Sequence, residues 1–247
     1  MNNQPSLLFS FLFNVYPYIC LAVFMMGSLA RFDRDQYTWK SDSSQLLRSG
    51  QLRWGSNLFH VGILFLFFGH TVGMLTPHFV YEPFISAGAK QLVAMISGGA
   101  FGVLGLLGLT LLLHRRLFDV RIRSTSKTSD IALLVVLWLQ FALGIATVPL
   151  SAQHLDGSMM MVLAEWAQRI VTFRGGAAEL MAEVGPVFRA HMFLGMTIFL
   201  IFPFTRLVHV WSGFGTLAYV VRPYQVVRAR RLNVPAGHNM PQGDASA

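Results

Sequence analysis

Residues 56–75 read SNLFHVGILFLFFGHTVGML, twenty positions without a formal charge but with two imidazoles, His60 and His70. At a rise of about 1.5 Å per residue, some 20 apolar residues carry a helix across a bilayer core. The stretch therefore reads as a membrane span, and an ionisable side chain inside a span is costly without a partner. Four further apolar runs of similar length lie at about 7–30, 92–113, 130–149 and 186–211. Over the 247 residues, 54% are hydrophobic and 12% charged, against about a quarter charged in soluble domains. The expected fold is an all-α membrane protein, a bundle of five transmembrane helices.

The basic residues orient that bundle. Fifteen of the nineteen Lys and Arg fall in the first loop (Arg31, Arg34, Lys40, Arg48, Arg53), the third loop (Arg115, Arg116, Arg121, Arg123, Lys127) and the C-terminal end (Arg206, Arg222, Arg228, Arg230, Arg231). The other four, Lys90, Arg169, Arg174 and Arg189, lie in or beside the second and fourth loops. Basic loops remain on the cytoplasmic side, so five spans place the N-terminus outside and the C-terminus inside. The net charge of +8 is thus an orientation signal, and a nucleic-acid partner is not expected. No basic region precedes the first apolar run and no small-residue cleavage site follows it, so the run is expected to be retained as a span. Cys20, the single cysteine, allows no intrachain disulfide and no C-x-x-C-H haem attachment.

One membrane domain is expected over residues 1–231, followed by a disordered cytoplasmic tail over 232–247, LNVPAGHNMPQGDASA. The long fourth loop, about 150–185, mixes apolar and charged residues. It fits either an amphipathic helix at the outer surface or an irregular cap over the bundle. No internal repeat stands out.

Of eight histidines, His78, His114, His154 and His238 lie where water reaches them, and His60, His70, His191 and His209 lie inside two spans. The second span runs outward and the fifth inward. Depth therefore pairs His60 with His209 near the inner face and His70 with His191 farther out. Two stacked bis-imidazole haems require two such pairs, because a haem iron needs axial ligands and two histidines leave no open position for O2. A zinc or copper site would draw its ligands to one point instead. The spacing carries some slack: ten residues of helix rise about 15 Å, eighteen about 27 Å. Pro203, between His191 and His209, is expected to kink the fifth helix and absorb part of the difference.

The chain resembles the cytochrome b (gamma) subunit of membrane-bound respiratory nitrate reductase. The resemblance is carried by NVYPYI, RFDRDQYTWKSDSSQLL, SNLFHVGIL, GHTVGMLTPH, LVAMISGGA, HRRLF, SAQHLDGS, FRAHMFLGM, FPFTRLVHVWS and YQVVRAR, in order through all five spans. It implies a bacterial inner-membrane subunit that oxidises quinol near the periplasmic face, releases protons there, and passes electrons through two non-covalent b haems. An iron–sulfur (beta) subunit on the cytoplasmic side would receive them and feed a molybdenum catalytic (alpha) subunit, where nitrate is reduced. By the same resemblance His70 and His191 match the distal haem ligands and His60 and His209 the proximal ones. Lys90 and Gly69 match residues of a quinol site beside His70. Lys90 also fits an interfacial lysine reaching for water. Arg206, one turn before His209, fits either a haem-propionate contact or an orienting charge. The slightly longer N-terminus and the tail depart from the family pattern and touch none of these residues. Two alternatives stand beside this reading: a di-haem quinol-oxidising anchor of a formate dehydrogenase, hydrogenase or sulfur-metabolism enzyme, and a transporter or scaffold with structural histidines.

Overall fold

The structure is a computed structural model that describes residues 6–34 and 49–212. These residues form helices joined by turns and short irregular connections, with no strand among them. Two compact units divide the chain, Met1–Val210 and Trp211–Ala247. The expected boundary at 231, the tail over 232–247 and the YQVVRAR segment lie outside the described residues, as do Lys40 and Arg48.

Five helices are long and apolar enough to cross a membrane, which makes this a multi-pass membrane protein. They are α1 (Leu7–Arg34), α2 (Ser49–Leu75), α4 (Ala87–Phe118), α6 (Thr128–Ser151) and the fifth span, Pro186–Phe204. Shorter helices lie between them: α3 (His78–Tyr81), α5 (Val120–Thr125), α7 (Ser158–Val171) and α8 (Ala177–Ala182). The first four spans outrun the apolar segments that announced them, because helix continues through polar flanks until a cap or turn stops it. At the start of α4, for example, Ser86 Oγ accepts the backbone N–H of Ala89 (3.3 Å), a standard N-terminal cap.

The fifth span departs from the sequence expectation. Its helix, α9 (Pro186–Ile201), stops where one kinked helix was expected to continue to about 211. Two 3-10 turns follow, Phe202–Phe204 and Arg206–Val208, joined by an extended Thr205 (φ −116°, ψ 177°). Pro203 explains the break, since it lacks an N–H and its ring clashes with the carbonyl one turn back. The chain is released from a straight axis between His191 and His209.

Lipid offers no hydrophobic drive between helices, so close packing of small residues holds spans together. A Cβ on Gly62 of α2 would lie 2.7 Å from Gly105 Cα and 2.8 Å from the Phe101 carbonyl of α4. One on Gly108 would collide with the backbone N of Phe59. Helix α2, which carries His60 and His70, is thereby pressed backbone to backbone on α4. Leu109, Leu133, Leu134, Leu137 and Phe141 fill the seam between α4 and α6.

The fourth loop reconciles its two expectations. It forms a helix, α7, and that helix caps one end of the bundle. Buried Trp166 and Ile170 join Phe13, Met181 and Phe188 in a second core. Trp166 Nε1 donates to the Phe13 carbonyl (3.1 Å) within the π turn Phe11–Val15 of α1. Gln168 Nε2 donates to the carbonyls of Met74 (2.9 Å) and Thr76 (3.4 Å), closing the end of α2. This end of the bundle carries Lys90. The opposite end carries Arg31, Arg115, Arg116 and Arg206, and is called the basic end below.

Candidate functional site

Two histidine pairs stand between α2 and the last part of the described chain: His191 is on α9, and His209 lies past the fifth span, at the end of the second 3-10 turn. His60 and His209 face each other toward the basic end, ring centroids 6.1 Å apart. His70 and His191 face each other toward the Lys90 end, centroids 6.3 Å apart. Depth along the spans predicts the same two pairs. An imidazole nitrogen lies about 1.1 Å from its ring centre and about 2.0–2.1 Å from a first-row metal it binds. Two rings coordinating one metal from opposite sides therefore stand about 6.2–6.4 Å apart by the same lengths. The two pairs, at 6.1 and 6.3 Å, come within about 0.1 Å of that spacing.

The proton positions agree with that use. Nδ1–H of His60 donates to the Ser56 carbonyl (2.7 Å), that of His70 to the Leu66 carbonyl (2.7 Å), and that of His209 to the Arg206 carbonyl (2.6 Å). A carbonyl can only accept, so the proton sits on Nδ1 and Nε2 keeps its lone pair. Such a bond also fixes ring orientation and raises the basicity of the other nitrogen. His191 differs: its buried Nδ1 lies toward the Gln140 backbone without a hydrogen bond of ordinary geometry. Its ring lies flush against α6, where a Cβ on Gly144 would come 3.0 Å from Cε1 and 3.6 Å from Nδ1. Among the described residues no group of three or more His, Cys, Asp or Glu converges as a single-ion site would require.

At the basic end a set of charged residues is joined to the His60–His209 pair through Arg206, whose carbonyl holds His209. Arg31 Nη1 donates to the carbonyls of Pro203 (2.7 Å) and Thr205 (2.9 Å), which the helix break exposes. Asp130, in the first turn of α6, lies 3.6 Å from Arg116 Nη1 and 3.8 Å from Arg206 Nε. Arg206 thus acts at two points, with its guanidinium beside Asp130 and its carbonyl on His209.

At the other end Lys90 Nζ is buried, has no hydrogen-bond partner, and stands 3.5 Å above the centre of the Tyr81 ring. Its ammonium tip is shielded, while the residue as a whole is partly exposed. A Cβ on Gly69 would meet nothing within 4 Å, so the backbone beside His70 is open. His78 and Glu82 form an exposed pair (3.1 Å) on the loop that carries Tyr81. Burial of the Tyr81 hydroxyl, with the nearby Glu82 charge, pushes its pKa above the usual phenol value. His114 Nδ1 lies 3.3 Å from Gln51 Nε2, and the His154 carbonyl accepts from Gln91 (2.6 Å). Neither joins a histidine pair.

The profile of the family described as "Nitrate reductase gamma subunit" matches residues 9–230. The chain belongs to this family. It is 56% identical to the respiratory nitrate reductase 2 gamma chain of Escherichia coli K12 over 222 residues, which is 90% of this chain and 97% of that one. The respiratory nitrate reductase 1 gamma chain of the same strain is 53% identical over 220 residues, 89% and 97% of the two chains. The nitrate reductase gamma chain of Bacillus subtilis 168 is 39% identical over the same length and the same shares. As a nitrate reductase gamma subunit, the chain is part of an oxidoreductase complex, which sets aside the transporter and scaffold alternatives.

Within this gamma subunit, several residues that shape the site are silent in the sequence. Arg31 reads only as an orienting charge, and Gly144 as one of 22 glycines. Tyr81 lies in a loop with no motif around it. Each acts through a contact between elements distant in sequence.

Proposed function

We propose that this chain is the membrane anchor and quinol-oxidising subunit of a respiratory nitrate reductase, carrying two haem b groups. The observation that carries the reading is the doubled imidazole pair, each pair close to the spacing of one shared metal atom. His60 and His209 hold the proximal haem, and His70 and His191 the distal one. Haem b held by these histidine pairs would supply one-electron transfer, and two histidine donors on each iron would leave no place for O2.

The chain's own residues supply the remaining chemistry. The basic end faces the cytoplasm of a bacterial inner membrane and the Lys90 end the periplasm, since basic residues remain inside; the N-terminus is then outside and the C-terminus inside. Lys90 donates to a quinol oxygen and stabilises the negative charge that develops as protons leave. Gly69, lacking a side chain, lets the quinol ring approach His70. Protons leave toward the periplasm while electrons move the other way, about 15 Å along α2 from the level of His70 to that of His60. The reaction therefore adds to the membrane potential. Arg206, one turn from His209, holds a propionate of the proximal haem. The basic end docks an iron–sulfur (beta) subunit, which passes electrons to a molybdenum (alpha) subunit that reduces nitrate. The gamma-chain relatives support this enzyme over formate dehydrogenase, hydrogenase or sulfur-metabolism anchors.

Anaerobic addition of a soluble quinol to the purified complex tests the reading. Quinol is expected to reduce the b-type absorbance, and nitrate to reoxidise it. Absorbance that dithionite reduces and quinol does not would overturn the quinol-oxidising role.

A further inference from the structure

Lys90 sets an unusual problem for a membrane protein. Its ammonium carries three N–H donors, and a buried charge without partners is costly. Yet Nζ has neither solvent contact nor a hydrogen-bond partner, and the group against it is the face of Tyr81, 3.5 Å to the centroid. An aromatic face attracts a cation through its quadrupole without occupying a donor as a carbonyl or carboxylate would.

Tyr81 is itself held in place. The His78 ring meets it edge-on at 5.1 Å between centroids, and His78 Nδ1 is fixed by Glu82 at 3.1 Å. Backbone bonds from Glu82 N to the His78 carbonyl (3.0 Å) and from Ile85 N to the Tyr81 carbonyl (3.0 Å) close the turn on both sides.

We propose that Tyr81 is a positioning residue for quinol binding. Its ring holds the Lys90 ammonium inside the site, with donors free for the substrate oxygen. This rests on the reading of Lys90 as the quinol contact. Without the ring, the flexible four-carbon stem of lysine carries the ammonium out to water, and quinol must draw it back on binding. The effect falls on quinol affinity and leaves the haem ligands untouched.

Steady-state quinol:nitrate turnover of the whole complex, with haem content followed optically, tests this. Tyr81→Leu is expected to raise KM for a soluble quinol about 3- to 30-fold, the range spanned by exposed to desolvated cation–π contacts. Haem content stays at the wild-type level and kcat changes less than KM. Tyr81→Phe keeps the ring face and restores KM to within about twofold. In a Lys90→Ala background Tyr81→Leu adds nothing, because the two residues act as one coupled pair. Tyr81→Met, also without a ring face, replaces the leucine variant if that one loses haem. The inference is overturned if the ring-free variants leave KM unchanged, if Phe fails like Leu, or if Leu costs as much without Lys90. Should Lys90→Ala itself leave turnover intact, the quinol site reading falls instead.

Discussion

Nη1 of Arg31, at the end of the first span, donates to the carbonyl oxygen of Pro203 at 2.7 Å and to that of Thr205 at 2.9 Å. One cation thereby satisfies two carbonyls that the Pro203 break leaves outside regular helix. The same break sets the position of His209. Arg31→Ala removes the donor, and each buried carbonyl left without a partner costs about 1–3 kcal/mol. The variant is expected to melt at lower temperature and to lose the haem proposed for His60 and His209 before the other. A thermal scan with optical haem quantification checks this; wild-type melting with both haems retained would contradict it.

Gly144 gives the His191 ring its seat on α6. Gly144→Ala places a methyl group 3.0 Å from His191 Cε1, closer than ordinary carbon contact at about 3.5–4.0 Å. The ring must tilt or retreat. The expected result is a shifted reduction potential for the haem proposed for His70 and His191, with the other potential unchanged. Gly144→Val is expected to lose that haem. Redox titration of the optical spectrum separates the two centres.

Lys90→Ala is expected to keep both haems and to weaken quinol oxidation by at least about tenfold in kcat/KM, the scale of a lost charged hydrogen bond. Turnover with a soluble quinol measures it. Unchanged turnover would return Lys90 to a structural role.

Much of this is readable in the chain, and the limit is physical. The depths of His60, His70, His191 and His209 follow from where charge clusters interrupt apolar runs, so the pairs can be drawn without coordinates. Helix rotation cannot. A helix apolar on every side has no strong moment to say which face turns inward, so the contact of Gly144 with His191 leaves no trace. The end of α9 is misplaced by sequence alone because Pro203 in a membrane helix is compatible with a kink or a full break; the choice depends on whether a donor such as Arg31 waits for the released carbonyls. The first four spans come out short because hydropathy sees the apolar middle and not the polar turns, such as Ser49–Arg53, that continue the helix.

The α7 cap should respond to acid. Glu165 accepts a hydrogen bond from Arg169 Nε (2.8 Å) and lies 3.3 Å from Arg174. The Arg169 hydrogen bond, chiefly, holds its carboxyl below the ordinary value of 4.5. A depressed carboxylate contributes stability that is fully present above its unfolded pKa and is lost as pH falls through the folded one. Amide exchange in Ser158–Val171 is therefore expected to quicken as pH drops below 4.5, after correction for intrinsic rates. Glu165→Gln should remove the pH-dependent part of that change.

Two imidazole pairs that each hold a haem require two haems per chain, which a haem count checks. Pyridine haemochrome analysis of the purified protein is expected to give two b haems per chain. It should give one in His191→Ala, where the pair toward the Lys90 end is lost, and one in His209→Ala, where the basic-end pair is lost. No b haem in fully incorporated wild-type protein, or two retained in either variant, would contradict the account.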